Sequence, residues 1–236
     1  MAGRSIVMMS GLATRKAFDD HLFAAFTGRT GVEVVPVYDP TVQLLRRLDA
    51  GETFDVMIAA TRSFDDLVAR GVVAPGPRPI ARAGIGLAVA RGAAHPAVGT
   101  TDELVSALTA ARSVAYSQTG QSGIYFVELV KRLGIDDAVL PRATALEKGF
   151  TATALESGAA DLAVQQLSEL LYVAGAEIVG PLPDELQRWT EFSAGTAAAS
   201  AENPDVAAFV EFLGSPEAQE AYLVTELEPV SRAHAS

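Results

Sequence analysis

The segment Phe54-Asp-Val-Met-Ile-Ala-Ala60 is apolar along almost its whole length. A strand of that kind is hidden on both faces, so helices must cover the sheet above and below. The residues before it supply them. Residues 6–9 form a β-rich run broken at Ser10-Gly11, and Ala17, Leu22, Ala25 and Phe26 then mark a helix from Thr14 to near Gly28. Residues 32–37 alternate as a strand. Asp39-Pro40-Thr41 reads as a turn and cap for a helix over 42–50, closed by Gly51. Thr61 follows the apolar segment, and residues 63–70 give a short helix stopped by Gly71. This β-α-β-α-β-α order predicts an α/β fold, with ligands taken at the carboxyl ends of the strands where helix N-termini point their amides. Those ends are Ser10-Gly11, Pro40-Thr41 and Ala60-Thr61, none with an evident acid, base or metal ligand.

Pro75-Gly-Pro-Arg-Pro79 is a stiff connector to a long strand over 84–90, after which a second α/β unit begins. It holds a strand at 114–116, the glycine and hydroxyl loop Ser117-Gln-Thr-Gly-Gln-Ser-Gly123, and a helix over 124–133. A helix over 150–158, a strand at 162–164 and a helix over 167–172 come next; a small-residue strand at 192–199 and helices at 206–213 and 216–224 close the chain. The two long strands bracket the second unit. The expected organisation is therefore two lobes, the first from 1–82 and 192–236, the second inserted as 83–191. Each lobe is expected to be a mainly parallel sheet flanked by helices, with the ligand site in the cleft that two crossover strands create.

Composition narrows the chemistry. The 236 residues contain no cysteine, which excludes disulfides, thiolate zinc, iron–sulfur clusters and thiol nucleophiles. His21, His95 and His234 share no metal-ligand spacing. The net charge of −11 argues against nucleic acid, and the longest apolar runs fall far short of the ~20 residues of a membrane span. The opening residues lack an export signal, so the expectation is a cytoplasmic protein, or a periplasmic one if a leader was removed. No cofactor is implied.

In the loop 117–123, Ser117, Thr119 and Ser122 offer neutral donors and Gly120 lets backbone approach a ligand; this suits an anion, or is an ordinary glycine-rich turn. Arg82, on the first crossover, either clamps a carboxylate or sits at the surface. Gln165 and Gln166 either orient a ligand or cap the next helix. Glu169 is the one carboxylate placed to act as a general base, and is otherwise a first-turn glutamate favoured by the helix dipole.

The opening strand with Ser10-Gly-Leu-Ala-Thr14, the Phe54-Asp-Val-Met-Ile strand, the Tyr116-Ser-Gln-Thr-Gly-Gln-Ser-Gly123 loop and Gln165-Gln-Leu-Ser-Glu169 together resemble the periplasmic-binding-protein type II fold. More narrowly, they resemble the branch that contains molybdate-binding proteins and an exported isomerase of cis- and trans-aconitate. The resemblance implies a two-lobed protein in which Ser10 or Gly11, Thr41, Ala60 and the loop Ser117–Ser122 hold an oxyanion, with Thr61 beside them. Tyr38-Asp-Pro-Thr41 replaces the usual glycine–serine turn, and Arg82 adds a charge that oxyanion binders do without. These departures favour a small organic polycarboxylate and a cofactor-independent allylic proton shift, with Glu169 or an unidentified hydroxyl as base. The alternative is a molybdate or other oxyanion receptor, the only reading that implies a transporter partner. A monomer is expected.

Overall fold

The computed structural model describes residues 3–230. Its chain divides into two compact units, one running up to Ala83 and resuming at Thr190, the other Gly84–Trp189.

The first unit opens with β1 (Ser5–Ser10), then α1 (Arg15–Ala17), a π turn (Phe18–Leu22) and α2 (Phe23–Thr30). This helical stretch passes through Gly28 and stops where Gly31 takes φ 68°, a left-handed conformation that ends helices cheaply only at glycine. β2 (Glu33–Tyr38), α3 (Thr41–Asp49), β3 (Val56–Ala60), α4 (Phe64–Ala69) and β4 (Arg78–Ala83) follow. The second unit carries β5 (Ile85–Ala90), α5 (Thr101–Ala110), β6 (Val114–Ser117), α6 (Gln121–Arg132), α7 (Asp136–Val139), β7 (Thr144–Leu146), α8 (Thr153–Glu156), β8 (Leu162–Gln166), α9 (Leu167–Leu170) and β9 (Ala176–Pro181). The chain returns as β10 (Thr190–Thr196), α10 (Pro204–Phe212), α11 (Pro216–Leu223) and β11 (Glu228–Pro229).

Among the described residues, the first sheet has the order β11-β4-β10-β3-β1-β2 and the second β7-β6-β8-β5-β9. Both are mixed, which corrects the expectation of mainly parallel sheets. β1 runs parallel to β2 and β3, and β6 parallel to β7 and β8; β10 is antiparallel to β3 and β4, and β5 to β8 and β9. A parallel neighbour needs a helix to carry the chain back to the starting end of the sheet. The strands that run against their neighbours are β5 and β10, the one that opens the second unit and the one that follows it. β4 escaped the sequence reading because it contains Pro79, and the ladder with β10 shifts register between Phe192 and Ser193 where that proline sits.

β3 is buried at every position, as its composition demanded. Val56 and Ile58 face a core with Phe18, Phe26 and Phe209, while Met57 and Ala59 face another with Leu44, Phe64 and Leu67. In the second unit Ile85, Leu87, Val164, Phe126 and Leu129 form the corresponding core. Among the described residues no helix is long and apolar enough to cross a membrane.

Two glycines in helices face opposite demands. A Cβ on Gly123 would lie 1.7 Å from the Ser117 carbonyl oxygen, so only glycine lets α6 settle on the end of β6. A Cβ on Gly28 would meet nothing within 4 Å. Gly123→Ala is expected to lower stability by about 3 kcal/mol or more through overpacking, whereas Gly28→Ala should raise it by about 1 kcal/mol through helix propensity. Urea titration of both variants checks the contrast, and a Gly123→Ala protein as stable as the parent would refute the packing argument.

Candidate functional site

In the first unit the polar strand ends are satisfied largely by one another. Ser10, fully buried at the end of β1, shares a 2.8 Å hydrogen bond with the Thr14 hydroxyl and donates to the Gly11 carbonyl at 3.1 Å. Its hydroxyl therefore serves its own turn. The Gly11 amide is also taken, by the Ile58 carbonyl at 2.9 Å. A Cβ on Gly11 would lie 4.0 Å from Thr41 Oγ1, which places that hydroxyl beside the turn, at the first residue of a helix that opens without a side-chain cap. Thr61, just beyond Ala60, shares a 2.8 Å bond with Ser193 on β10. Thr14 and Ser193 were not foreseen. Thr14 follows Ser10 by one helical turn, a spacing that was legible; Ser193 arrives only through antiparallel pairing, opposite Ala59.

Arg82, read as a clamp or a surface residue, is paired within the chain. Its Nε and Nη2 donate to one carboxylate oxygen of Glu228, at 2.8 and 2.6 Å, across the β4–β11 ladder. Its charge is already met by this chain, so it is not the bare clamp that an anion would require. Both side chains are nearly half exposed, a setting in which such pairs contribute little to stability.

In the second unit, α6 begins at Gln121, three residues before the helix the sequence suggested. Ser122 and Gly123 thus belong to its first turn rather than to a loop. Gly120 is the cap residue, and no side chain caps the helix. Ser117 Oγ accepts from the Gly120 amide at 2.9 Å, a bond that uses a lone pair and leaves the hydroxyl hydrogen to donate elsewhere. Ser117 and Ser122 are both buried. Thr119, by contrast, is held outward, donating to the Glu147 carbonyl at 2.7 Å.

Gln165 and Gln166 end β8 rather than follow it, because the strand runs two residues further than its apolar core. Neither side chain caps α9. The Gln165 oxygen accepts from the Thr151 amide at 2.7 Å and hydroxyl at 3.0 Å; its nitrogen donates to the Gly149 carbonyl at 3.2 Å. Thr151 was missed because residues 150–158 read as one helix, of which only α8 forms.

Glu169 lies on α9 with 9% of its surface exposed. Burial pushes its carboxyl from the ordinary 4.5 up to about 8, against hydrogen bonds from the Gln166 backbone and the Gln165 side chain. At neutral pH it is mostly the neutral acid, not the charged first-turn glutamate that a helix dipole would favour. The neighbouring Ser168 hydroxyl is buried without a hydrogen-bond partner.

The raised value has a thermodynamic consequence. Between pH 4.5 and about 8 the folded protein holds a proton that the unfolded chain has released, so stability falls as pH rises through this window. The loss is on the order of 5 kcal/mol. Glu169→Gln, which cannot ionise, is expected to remove most of that slope in melting experiments from pH 4.5 to 9; equal slopes in both proteins would contradict the assignment.

Residues 6–223 match the family described as bacterial extracellular solute-binding protein. An aconitate isomerase from a Pseudomonas species is 33% identical over 214 residues, covering 87% of this chain and 81% of that protein. The periplasmic molybdate-binding protein of Azotobacter vinelandii superposes with a TM-score of 0.77 at 20% identity, covering 96% of this chain and all of that one. The sulfate-binding protein of Mycobacterium tuberculosis gives 0.70 at 16% identity, with coverage of 98% and 88%. At those identities the two solved structures speak for the fold alone, which is the fold the sequence resembled. With nearly the whole chain matched, this protein belongs to the bacterial extracellular solute-binding protein family.

Proposed function

We propose that this chain binds a small organic polycarboxylate and, without a cofactor, moves a proton between allylic carbons, interconverting isomers of an unsaturated tricarboxylate of the aconitate type. The observation that carries the reading is the 33% identity, over most of both chains, to an aconitate isomerase. The buried Glu169 carboxyl supports it. A carboxylate with an affinity for protons near pH 8 is a stronger base than an ordinary one, and about a tenth of it is ionised at pH 7.

In this reaction Glu169 takes a proton from the methylene carbon beside the alkene. The electron pair passes through the alkene toward a flanking carboxylate, and the Glu169 carboxyl, whose proton exchanges with solvent, returns a proton at the former vinylic carbon, so the composition is unchanged. The developing dienolate needs donors that are fixed before it forms. Within the second unit, Ser117, Ser122 and the uncapped amides at the start of α6 are such donors. Gln165 and Gln166 act on the base rather than on the dienolate, through their bonds to Glu169. Arg82 is left out of the mechanism by its bond to Glu228.

A second reading is an oxyanion receptor without catalysis, favoured by the neutral character of these same hydroxyls and amides. Proton NMR of cis- and trans-aconitate in deuterated water separates the two. The first reading expects interconversion with deuterium entering the methylene, at a rate that climbs with pH through about 8 as Glu169 ionises. Glu169→Gln should lower turnover about 100-fold or more while keeping the melting-point rise that the tricarboxylate confers. No interconversion, with stabilisation by molybdate or tungstate alone, would overturn the first reading in favour of the second.

A further inference from the structure

The amide of Gln165 can be oriented without ambiguity. The Thr151 backbone N–H can only donate, so the Gln165 atom 2.7 Å from it is the oxygen. The Gly149 carbonyl can only accept, so the atom 3.2 Å from it is the nitrogen. With the oxygen held a second time by the Thr151 hydroxyl at 3.0 Å, rotation of the amide would break every one of these bonds. The second hydrogen on the nitrogen then goes to Glu169, whose carboxyl the Gln165 side chain hydrogen-bonds. Thr151, Gln165 and Glu169 are all buried, so no solvent stands in for a lost partner.

We propose that Thr151 and Gln165 form a positioning relay: Thr151 locks the Gln165 amide so that one of its N–H groups is always presented to the Glu169 carboxyl. The proposal rests on the reading of Glu169 as the proton-transfer group, and gives Thr151 a role although it touches no substrate. The relay favours the ionised carboxylate, because an N–H can donate to either form but binds the anion more strongly. It thereby keeps the base within reach of physiological pH against the burial that drives it toward neutrality.

The Gln166 backbone bonds the same carboxyl and acts in the same direction, ahead of Gln165, and is left in place by the substitutions below. α9 packs on β5, β8 and β9. β5 and β8 carry no titratable side chain, and the one on β9, Glu177, is bonded to the Gly92 amide and His95. Glu177 is aligned with Val89, whereas Gln166 is aligned with Ile85, toward the other end of β5. Tyr172, one turn beyond Glu169, stacks on Phe150.

The test reads Glu169 directly, in protein labelled with carbon-13 at glutamate Cδ and without substrate, its resonance assigned by its loss in Glu169→Gln. The parent is expected to titrate near pH 8. Gln165→Met should move the midpoint up by roughly one to two pH units. Thr151→Val keeps the backbone donor and loses the hydroxyl, so it should move the midpoint the same way by less; Thr151→Ser restores the hydroxyl and should titrate like the parent. If Gln165→Met does not fold, the two threonine variants decide the matter alone. Titration unchanged in Thr151→Val, or shifted as far in Thr151→Ser, overturns the relay. Absence of aconitate turnover would instead defeat the proposed reaction and leave these midpoints as they are.

Discussion

β3 and β8 are buried at every residue, and each lies inside its sheet with a strand on either side. Such a strand spends its backbone on its neighbours and its side chains on covering elements, so a solute can reach it only at an end. Everything polar in the candidate site follows from that restriction. Ser10, Ala60-Thr61, Ser117 and Gln165-Gln166 each stand where a strand stops. The helices that follow β6 and β2 start within four residues of the strand, which brings uncapped amides to the same places. The fold gathers its polar groups at strand ends because it must bury its middle.

The donors so assembled are neutral, and many are already matched. Ser10 with Thr14, Thr61 with Ser193, and Gln165 with Thr151 are closed pairs that hold their turns in shape. What they leave over is a small set: the hydrogen of Ser117, the first-turn hydroxyl of Ser122, the Thr41 hydroxyl and the buried, unmatched Ser168. A carboxyl buried in such surroundings has no cation to stabilise its charge, and only amide donors slow its return to the neutral acid. That balance sets the proton affinity of Glu169 near pH 8 and makes it a liability to stability above neutral pH. The net charge of −11 belongs to the solvated surface and enters none of these contacts.

Where the residue pattern was read well, periodicity was long enough to be unambiguous; β1, β2, β3, α3 and β8 lie within two residues of their expected positions. Errors fell where a local rule competed with packing. Ser122 and Gly123 looked like loop because glycine is a poor helix former, yet α6 needs Gly123 to sit against Ser117. Residues 150–158 looked helical by composition, but only 153–156 are, and the turn before them lets the Thr151 amide reach Gln165. Arg82 was read as a clamp or a surface residue from its place on a crossover strand; its partner Glu228 is 146 residues away along the chain.

The sequence by itself determined that the chain is α/β, and it carried the expectations of an inserted second unit and of a site built from hydroxyls, amides and one arginine. Those conclusions need only periodicity, composition and the order of elements, which are local properties of the chain. Tertiary structure alone decided which of those groups are spent and which remain, because hydrogen bonds between strands and turns join residues that sequence distance cannot relate. The proton affinity of Glu169 is the clearest case. The residue is the same glutamate in any chain; its removal from water, and the amide that Thr151 holds against it, exist only once β8, α9 and the turn at 149–151 have packed.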